Sequence, residues 1–316
     1  MSSEYSVIHL CIFLVCVMIF LIIDLYTHKN DHAISLKNAL YWSIFWIILS
    51  VIFSIYIGYS YGSDSAYLFL SGYLLEKSLS VDNLFVIMAI FSSFAIKDAL
   101  QHRILYFGIL GALILRMLFI ALGSSLILLF GSYALAAFGL FVLWSAWKMW
   151  QHMGSDEEDI VNYSNHWAIS ATRHFFPVHN FMQGHDFFVK VQENSKSIWK
   201  ATPLFLCLVV VEISDIIFAF DSVPAIIAIT QEPFLVYTSN IFAILGLRSL
   251  YFLLVAAKRH LCHLEKSVII ILIYIGIKML LDVFYLVHIH AMINLVVVFG
   301  LLICGIISSF LFPEKS

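Results

Sequence analysis

The stretch Glu76-Lys-Ser-Leu-Ser-Val-Asp82-Asn83 recurs later in the chain as Asp215-Ile-Ile-Phe-Ala-Phe-Asp221-Ser222. A fifth acid, Glu212, lies just before the second copy. Both copies fall in segments that are apolar enough to cross a bilayer. Moving a carboxylate to the centre of a membrane costs at least about 2.5 kcal/mol, so such groups usually face a protein interior and have a function. Acids arranged as a repeat therefore predict a membrane-embedded site that binds a cation.

The composition is typical of a membrane protein. Of the 316 residues, 62% are hydrophobic and 12% are charged, and the mean hydropathy is +0.97. A soluble chain would carry charge on about a quarter of its residues. Apolar runs of about 20 residues are long enough to span a bilayer as helices. We predict nine transmembrane helices, near 7–26, 39–59, 66–92, 102–121, 125–148, 202–229, 236–257, 267–286 and 290–311.

Lys and Arg residues indicate how the chain is oriented. They occur in alternate loops and in the C-terminal tail, whereas the N-terminus and the loops between carry none. These residues are Lys29, Lys37, Lys97, Arg103, Lys148, Arg173, Lys190, Lys196, Lys200, Lys258, Arg259, Lys266 and Lys315. Because positive charge collects in cytoplasmic loops, we predict a multi-pass protein of the bacterial inner membrane with a periplasmic N-terminus and a cytoplasmic C-terminus. The first apolar run is expected to be retained, because Asp24, Tyr26 and His28 replace the small residues of a cleavage site.

Helices three to five and six to eight read as two copies of one unit. The matched positions are Glu76 with Asp215, Asp82 with Asp221, Asn83 with Ser222, Arg116 with Arg248, and Lys148 with Lys278. A unit of three helices must run in the opposite direction when it is repeated, and inverted repeats place a substrate site at their interface. We therefore predict an all-α polytopic membrane protein with nine transmembrane helices and two inverted three-helix repeats.

This organisation divides the chain into five parts. They are two N-terminal helices (1–65), the first repeat (66–150), a cytoplasmic loop (151–200), the second repeat (201–287), and a last helix with a cytoplasmic tail (288–316). The loop holds an acidic cluster, 156–159, and five histidines. We interpret it as a solvated connector, with a metal-sensing loop as the alternative because imidazole binds transition metals.

The acids of one copy do not converge on a regular helix, because positions six apart point about 120° away from each other. A break in the helix would bring them together. Pro224 favours a break in the second unit, since proline removes a backbone donor and disfavours helical angles in the preceding residue. Asn83 and Ser222 suit the caps of half-helices. A broken helix in each unit is therefore a hypothesis, with freed carbonyls as additional cation ligands.

The ligand types narrow the choice of cation. The predicted metal ligands are Glu76, Asp82, Asn83, Glu212, Asp215, Asp221 and Ser222. Carboxylate, amide and hydroxyl oxygens suit Mg²⁺, Ca²⁺ or Mn²⁺, whereas Zn²⁺ and copper prefer imidazole or thiolate. Burial and like-charge repulsion favour protonation of some acids in an empty site, so exchange of a metal ion for protons is a further hypothesis. No cofactor is predicted besides the transported cation.

Two arginines are expected to compensate this charge. Arg116 and Arg248 lie at matching places and need acidic partners at membrane depth. They act either as internal counter-ions when the metal leaves or as permanent ion pairs that fix helix register. Lys278 is expected to pair with Asp282, one helical turn away.

Three long motifs resemble the TerC/Alx family of bacterial inner-membrane proteins. They are Gly72-Tyr-Leu-Leu-Glu-Lys-Ser-Leu-Ser-Val-Asp-Asn-Leu84, Val211-Glu-Ile-Ser-Asp-Ile-Ile-Phe-Ala-Phe-Asp-Ser-Val-Pro-Ala225 and Thr238-Ser-Asn-Ile-Phe-Ala-Ile-Leu-Gly-Leu-Arg-Ser-Leu-Tyr-Phe252. The resemblance covers nearly the whole chain apart from 151–200. It implies a role in tellurite resistance or Mn²⁺ export, with the family's embedded acids at the five acidic positions named above.

We therefore expect a transporter that exports divalent cations, with Mn²⁺ and the outward direction taken from the resemblance. Its expected partners are the metal ion and the lipid bilayer, not nucleic acid, and the residues identify no protein partner. The alternative is a membrane scaffold or assembly protein linked to metal or tellurite stress without transport. An enzyme is not expected, because the Gly-x-Gly-Asp signature of intramembrane aspartyl proteases is missing.

Overall fold

The structure is a computed structural model that describes residues 13, 15, 17, 19, 36–96, 98–152, 177–178, 186–193, 196–257, 264–284 and 290–311. Long helices dominate these residues. The described helices are α1 (Leu36–Tyr61), α2 (Ser63–Ser93), α3 (Asp98–Phe130), α4 (Ser132–His152), α5 (Pro203–Ile229), α6 (Pro233–Ile244), α7 (Leu247–Ala257), α8 (Leu264–Val283) and α9 (Ala291–Leu311). Two strands form a hairpin, β1 (Phe188–Glu193) and β2 (Lys196–Ala201).

The helices agree with the predicted apolar runs. Each run from 39–59 onward corresponds to a described helix, except that 236–257 is divided into α6 and α7. Of the first run, 7–26, only Phe13, Val15, Val17 and Ile19 are described, and all four are helical. By length and hydropathy alone, four described helices are long and apolar enough to cross a bilayer, or five if α6 and α7 form one bent span. These features are those of a multi-pass membrane protein.

The sequence predicts a loop at 123–125, between the apolar runs 102–121 and 125–148, and this prediction is wrong. Helix α3 continues through it to Phe130, and the turn into α4 is made by Gly131 at φ +54°. Gly123 instead allows a close helix contact, because a Cβ there would lie 2.9 Å from Cδ1 of Ile227 in α5. Gly123 therefore allows close helix packing, whereas Gly131 allows a left-handed backbone conformation.

The predicted helix breaks at the acidic motifs are also wrong. Helix α2 runs unbroken through Gly72 and Asn83, and α5 continues past Pro224. The break lies instead between α6 and α7, which meet at an angle of 45°. Gly246 makes this bend at φ +81°, and a Cβ there would lie 2.5 Å from Cδ1 of Trp46. The bend therefore requires glycine for both its backbone angle and its contact with α1.

The segment 151–200 contains more structure than a solvated connector. Strands β1 and β2 pair antiparallel, and the ring of Phe188 packs on Phe205 of α5 with centroids 4.5 Å apart. Phe187, directly before β1, packs on Phe107 of α3. The hairpin thus joins the ends of α3 and α5. The acidic cluster at 156–159 and four of the five histidines (His166, His174, His179 and His185) lie outside the described residues, as does the side chain of His152.

The buried core is shared by helices of both predicted units. Helix α2 packs against α5 and α6, α3 packs against α5, and α4 packs against α8. The last pair approaches closely at two glycines, since a Cβ at Gly276 would lie 3.2 Å from the carbonyl oxygen of Gly139 and 2.7 Å from Cγ of Leu143. Small residues allow this backbone approach in membrane helices.

Replacing Gly276 by Ala is expected to force α4 and α8 apart and to lower the free energy of unfolding by about 1–3 kcal/mol, the usual cost of overpacking. Gly300→Ala is the matched control, because no heavy atom lies within 4 Å of a Cβ there. This control is expected to be neutral or stabilising by up to about 1 kcal/mol, as alanine favours a helix interior. Thermal unfolding of the purified variants measures both effects. Equal melting temperatures would contradict the close approach of α4 and α8.

Candidate functional site

The guanidinium of Arg116 lies between carboxylates from two other helices. It forms an ion pair with Glu76 of α2 through Nη1, and its Nη2 lies 3.5 Å from Oδ1 of Asp215 in α5. Nη1 also donates to the hydroxyl of Ser222, at 3.5 Å. Arg116 itself belongs to α3, so one side chain connects three helices. The rigid, planar fork of arginine suits such shared pairing, which the ammonium of lysine cannot reproduce.

The burial of these groups makes the ion pairs necessary. The side chain of Glu76 is 0% exposed, that of Arg116 is 1% exposed and that of Asp215 is 15% exposed. An unpaired charge in such surroundings is strongly unfavourable, whereas opposite charges in contact offset part of the cost of losing water. The remaining exposure of Asp215 leaves one carboxylate of the cluster partly accessible.

Glu212 lies one helical turn before Asp215 and projects from α5 towards α3. A Cβ on Gly111 would overlap its carboxylate, so the missing side chain at Gly111 makes room for the acid. Its Oε2 is buried without a hydrogen-bond partner among the described residues, and so is Oδ2 of Asp215. The site therefore has carboxylate oxygens that described protein groups leave unsatisfied.

The structure brings together part of the predicted site. Glu76, Asp215 and Ser222 meet at Arg116, and Glu212 lies one turn of α5 away, against Gly111. Asn83 is 8% exposed in α2. Asp82 and Asp221 lie on α2 and α5, but their side chains are outside the described residues. Without those two, no three His, Cys, Asp or Glu side chains form a metal-holding group within the described ranges.

The second arginine is buried as well. Arg248 is 5% exposed at the start of α7, two residues after the bend at Gly246. Lys278 lies 3.7 Å from Asp282, which confirms the predicted pair. Its ammonium also donates to the carbonyl of Ala228, at 3.1 Å, near the end of α5.

Two residues near the site were missed by the sequence reasoning. Gly111 was not identified, although a glycine within an apolar helix is a signal for a close approach. Lys77 was assigned no partner, yet its ammonium donates to the carbonyls of Ala243 at 3.1 Å and Leu245 at 3.3 Å. These carbonyls lie at the bend between α6 and α7. Backbone carbonyls at a helix bend thus bind a cationic group, but this group is the ammonium of Lys77 rather than a metal ion.

Replacing Arg116 by Met is expected to lower the free energy of unfolding by about 3–5 kcal/mol, because it leaves Glu76 charged and buried without its partner. The double variant with Glu76→Gln should lose clearly less than the sum of the single losses, since the amide needs no counter-charge. Unfolding of the four proteins in a double-mutant cycle measures this coupling. Losses that add within about 0.5 kcal/mol would contradict a direct pair.

Comparison with known proteins places this chain in a described family. Residues 61–316 match the model of the integral membrane protein TerC family. The tellurium resistance protein TerC of Serratia marcescens is 45% identical over 315 residues, which cover 93% of this chain and 90% of the relative. The putative membrane-bound redox modulator Alx of Salmonella typhi is 42% identical over 300 residues, which cover 92% and 90%. No solved structure gives a significant match. The chain with the buried acid–arginine cluster belongs to the TerC family of integral membrane proteins.

Proposed function

We propose that this protein exports divalent metal cations, with Mn²⁺ as the principal substrate, through the carboxylate site around Arg116. The observation that supports this most directly is the pairing of Glu76 and Asp215 with one guanidinium, with Glu212 nearby on α5. If ionised, three carboxylates and one guanidinium leave two negative charges. A divalent cation balances this charge, whereas Na⁺ does not.

The unsatisfied oxygens support direct binding of a metal ion. Buried polar atoms are nearly always paired, so Oε2 of Glu212 and Oδ2 of Asp215 are expected to meet a ligand or water. A bound cation would also release Arg116 from part of its pairing, which gives the arginine the role of an internal counter-ion. Hard oxygen ligands favour Mn²⁺, Mg²⁺ and Ca²⁺ over softer metals. The choice of Mn²⁺ and of export follows from the family resemblance.

The packing of the helices supports the inverted repeats. Glu76 and Asp215 occupy matching positions in the two units and pair with the same guanidinium. Helix α2 packs against α6 while their counterparts, α5 and α3, also pack together, and the matching helices α4 and α8 form a pair. A two-fold relation between the units would produce this exchange of partners. We propose that the two units rock around the site in a nine-span inner-membrane topology with a periplasmic N-terminus and a cytoplasmic C-terminus.

Expression of this protein in a manganese-loaded strain that lacks its own exporters is expected to lower the cellular Mn content. Asp82→Asn should abolish the effect, because it removes one carboxylate of the proposed pathway. Elemental analysis of washed cells at matched protein levels measures the outcome. If neither protein lowers the cellular Mn content, transport is contradicted and a scaffold role is favoured. A scaffold role predicts that Asp82→Asn leaves function intact.

A matched pair of glycine variants sharpens this experiment. Gly111→Ala should lower export, because the methyl group would displace the carboxylate of Glu212 from its position. Gly108→Ala lies one turn away on α3, where the Cβ would be 3.4 Å from Val211, an ordinary contact. This control should export normally. Loss of export in both variants would indicate a general packing defect in α3.

Exchange for protons predicts that export depends on the proton gradient. An empty site with several buried carboxylates is expected to hold protons that neutralise them. Collapsing the gradient across vesicles with a protonophore should therefore slow Mn²⁺ movement, while collapsing the Na⁺ gradient should not. Mn²⁺ flux that is unaffected by the protonophore would contradict proton coupling but not transport.

A further inference from the structure

Asn240 of α6 has a buried amide that the fold does not satisfy. Its side chain is 0% exposed, and neither Oδ1 nor Nδ2 has a hydrogen-bond partner among the described residues. The neighbouring Thr238 and Ser239 are also fully buried, but their hydroxyls bond to carbonyls of their own helix. Buried amides are rarely left unpaired, and membrane surroundings offer no water in compensation. Because no described residue satisfies this amide, we expect it to meet a bound ligand or water, as the unsatisfied carboxylate oxygens do.

The contacts of its neighbours show where the amide is directed. Ser239 packs on Gly72 of α2, where a Cβ would lie 2.9 Å from Oγ, and the hydroxyl of Tyr237 donates to the carbonyl of Met117 in α3 at 3.1 Å. Residues advance by about 100° around a helix, so Asn240 lies about 100° beyond Ser239 and about 60° short of Tyr237. Its side chain is therefore on the face of α6 between α2 and α3.

The same contacts give the depth of the amide. Met117 follows Arg116 directly, and Gly72 lies one helical turn before Glu76. Asn240 is thus within about one turn, roughly 5 Å along the axis, of the pair formed by Arg116 and Glu76. Because α2 and α6 both start at the periplasmic side in the proposed topology, the amide lies on the periplasmic side of this pair.

We propose that Asn240 is a direct ligand of the transported divalent cation, through Oδ1, on the periplasmic side of the carboxylate cluster. Amide oxygens are regular ligands of hard divalent cations alongside carboxylates. A neutral ligand holds the cation less strongly than the acids do, which suits a position from which it leaves the site. The inference rests on the proposed function and adds a ligand to the same site.

Binding of Mn²⁺ to the purified full-length protein in detergent tests this inference. Asn240→Leu keeps the branching and the number of non-hydrogen side-chain atoms but removes the ligand, so the Kd should rise at least about tenfold. Its melting temperature should stay the same or rise, because no bond within the protein is lost. Asn240→Asp should bind with a Kd within about threefold of the wild type or lower, as it retains an oxygen ligand. Thr238→Val is the control on the same helix and should leave the Kd unchanged.

The possible results separate this inference from the proposed function. Tight binding by the wild type and equally tight binding by Asn240→Leu would overturn the ligand role and leave the transport site in place. A marked fall in melting temperature with an unchanged Kd would also overturn it, since the amide would then have a structural role. Absence of divalent binding in the wild type would overturn both. If Asn240→Leu does not fold, Asn240→Ala gives the Kd, and an unchanged value again overturns the ligand role.

Discussion

The shared guanidinium of Arg116 is the interaction on which the centre of this protein depends. It holds Glu76 and Asp215, and through them it connects α2, α3 and α5. None of these charges is stable alone at this burial, because each would lose its water without a replacement. Separating the helices at this point therefore requires that another cation or protons neutralise the carboxylates. Under the proposed function, the ion pairs would act in the transport cycle as well as in stability.

A second buried cation links the acidic site to the bend between α6 and α7. Lys77 follows Glu76 on α2, and its ammonium binds the carbonyls at the bend, just before Gly246. Arg248 follows two residues later. A shift of α2 would therefore act on two arginines, on Arg116 through Glu76 and on Arg248 through the bend. In the proposed rocking mechanism, such a connection would let the two units change together.

The sequence predicted the elements of this fold better than their contacts. Apolar runs located the helices because length and hydropathy are local properties. Gly123 was wrongly taken as part of a loop. It is glycine because a side chain there would collide with Ile227, a residue of another helix. The bend at Gly246 was missed for the same reason, since Trp46 lies about two hundred residues earlier in the chain.

The candidate site shows the same limit. Acids six residues apart were expected to need a break in the helix in order to converge, but both helices that carry them are continuous. Glu76 and Asp215 instead meet at one arginine of a third helix, brought together by the packing of α2, α3 and α5. The acidic pattern in the sequence predicted Glu76 and Asp215 as candidate site residues. Only the packing determined which of them pair.

The hairpin restricts how the site can open. Phe187 packs on Phe107 and lies beneath the guanidinium of Arg103, both in α3, whereas Phe188 packs on Phe205 of α5. The hydroxyl of Thr202 adds a hydrogen bond to the carbonyl of Asp186 at 2.7 Å. The helices that carry Arg116 and Asp215 are thus joined at one end, so they cannot slide apart as parallel rods. In the proposed rocking motion, these helices would tilt about the hairpin. The opening would then be widest at the opposite end, which is periplasmic in the proposed topology and is the direction in which Asn240 lies from the carboxylates.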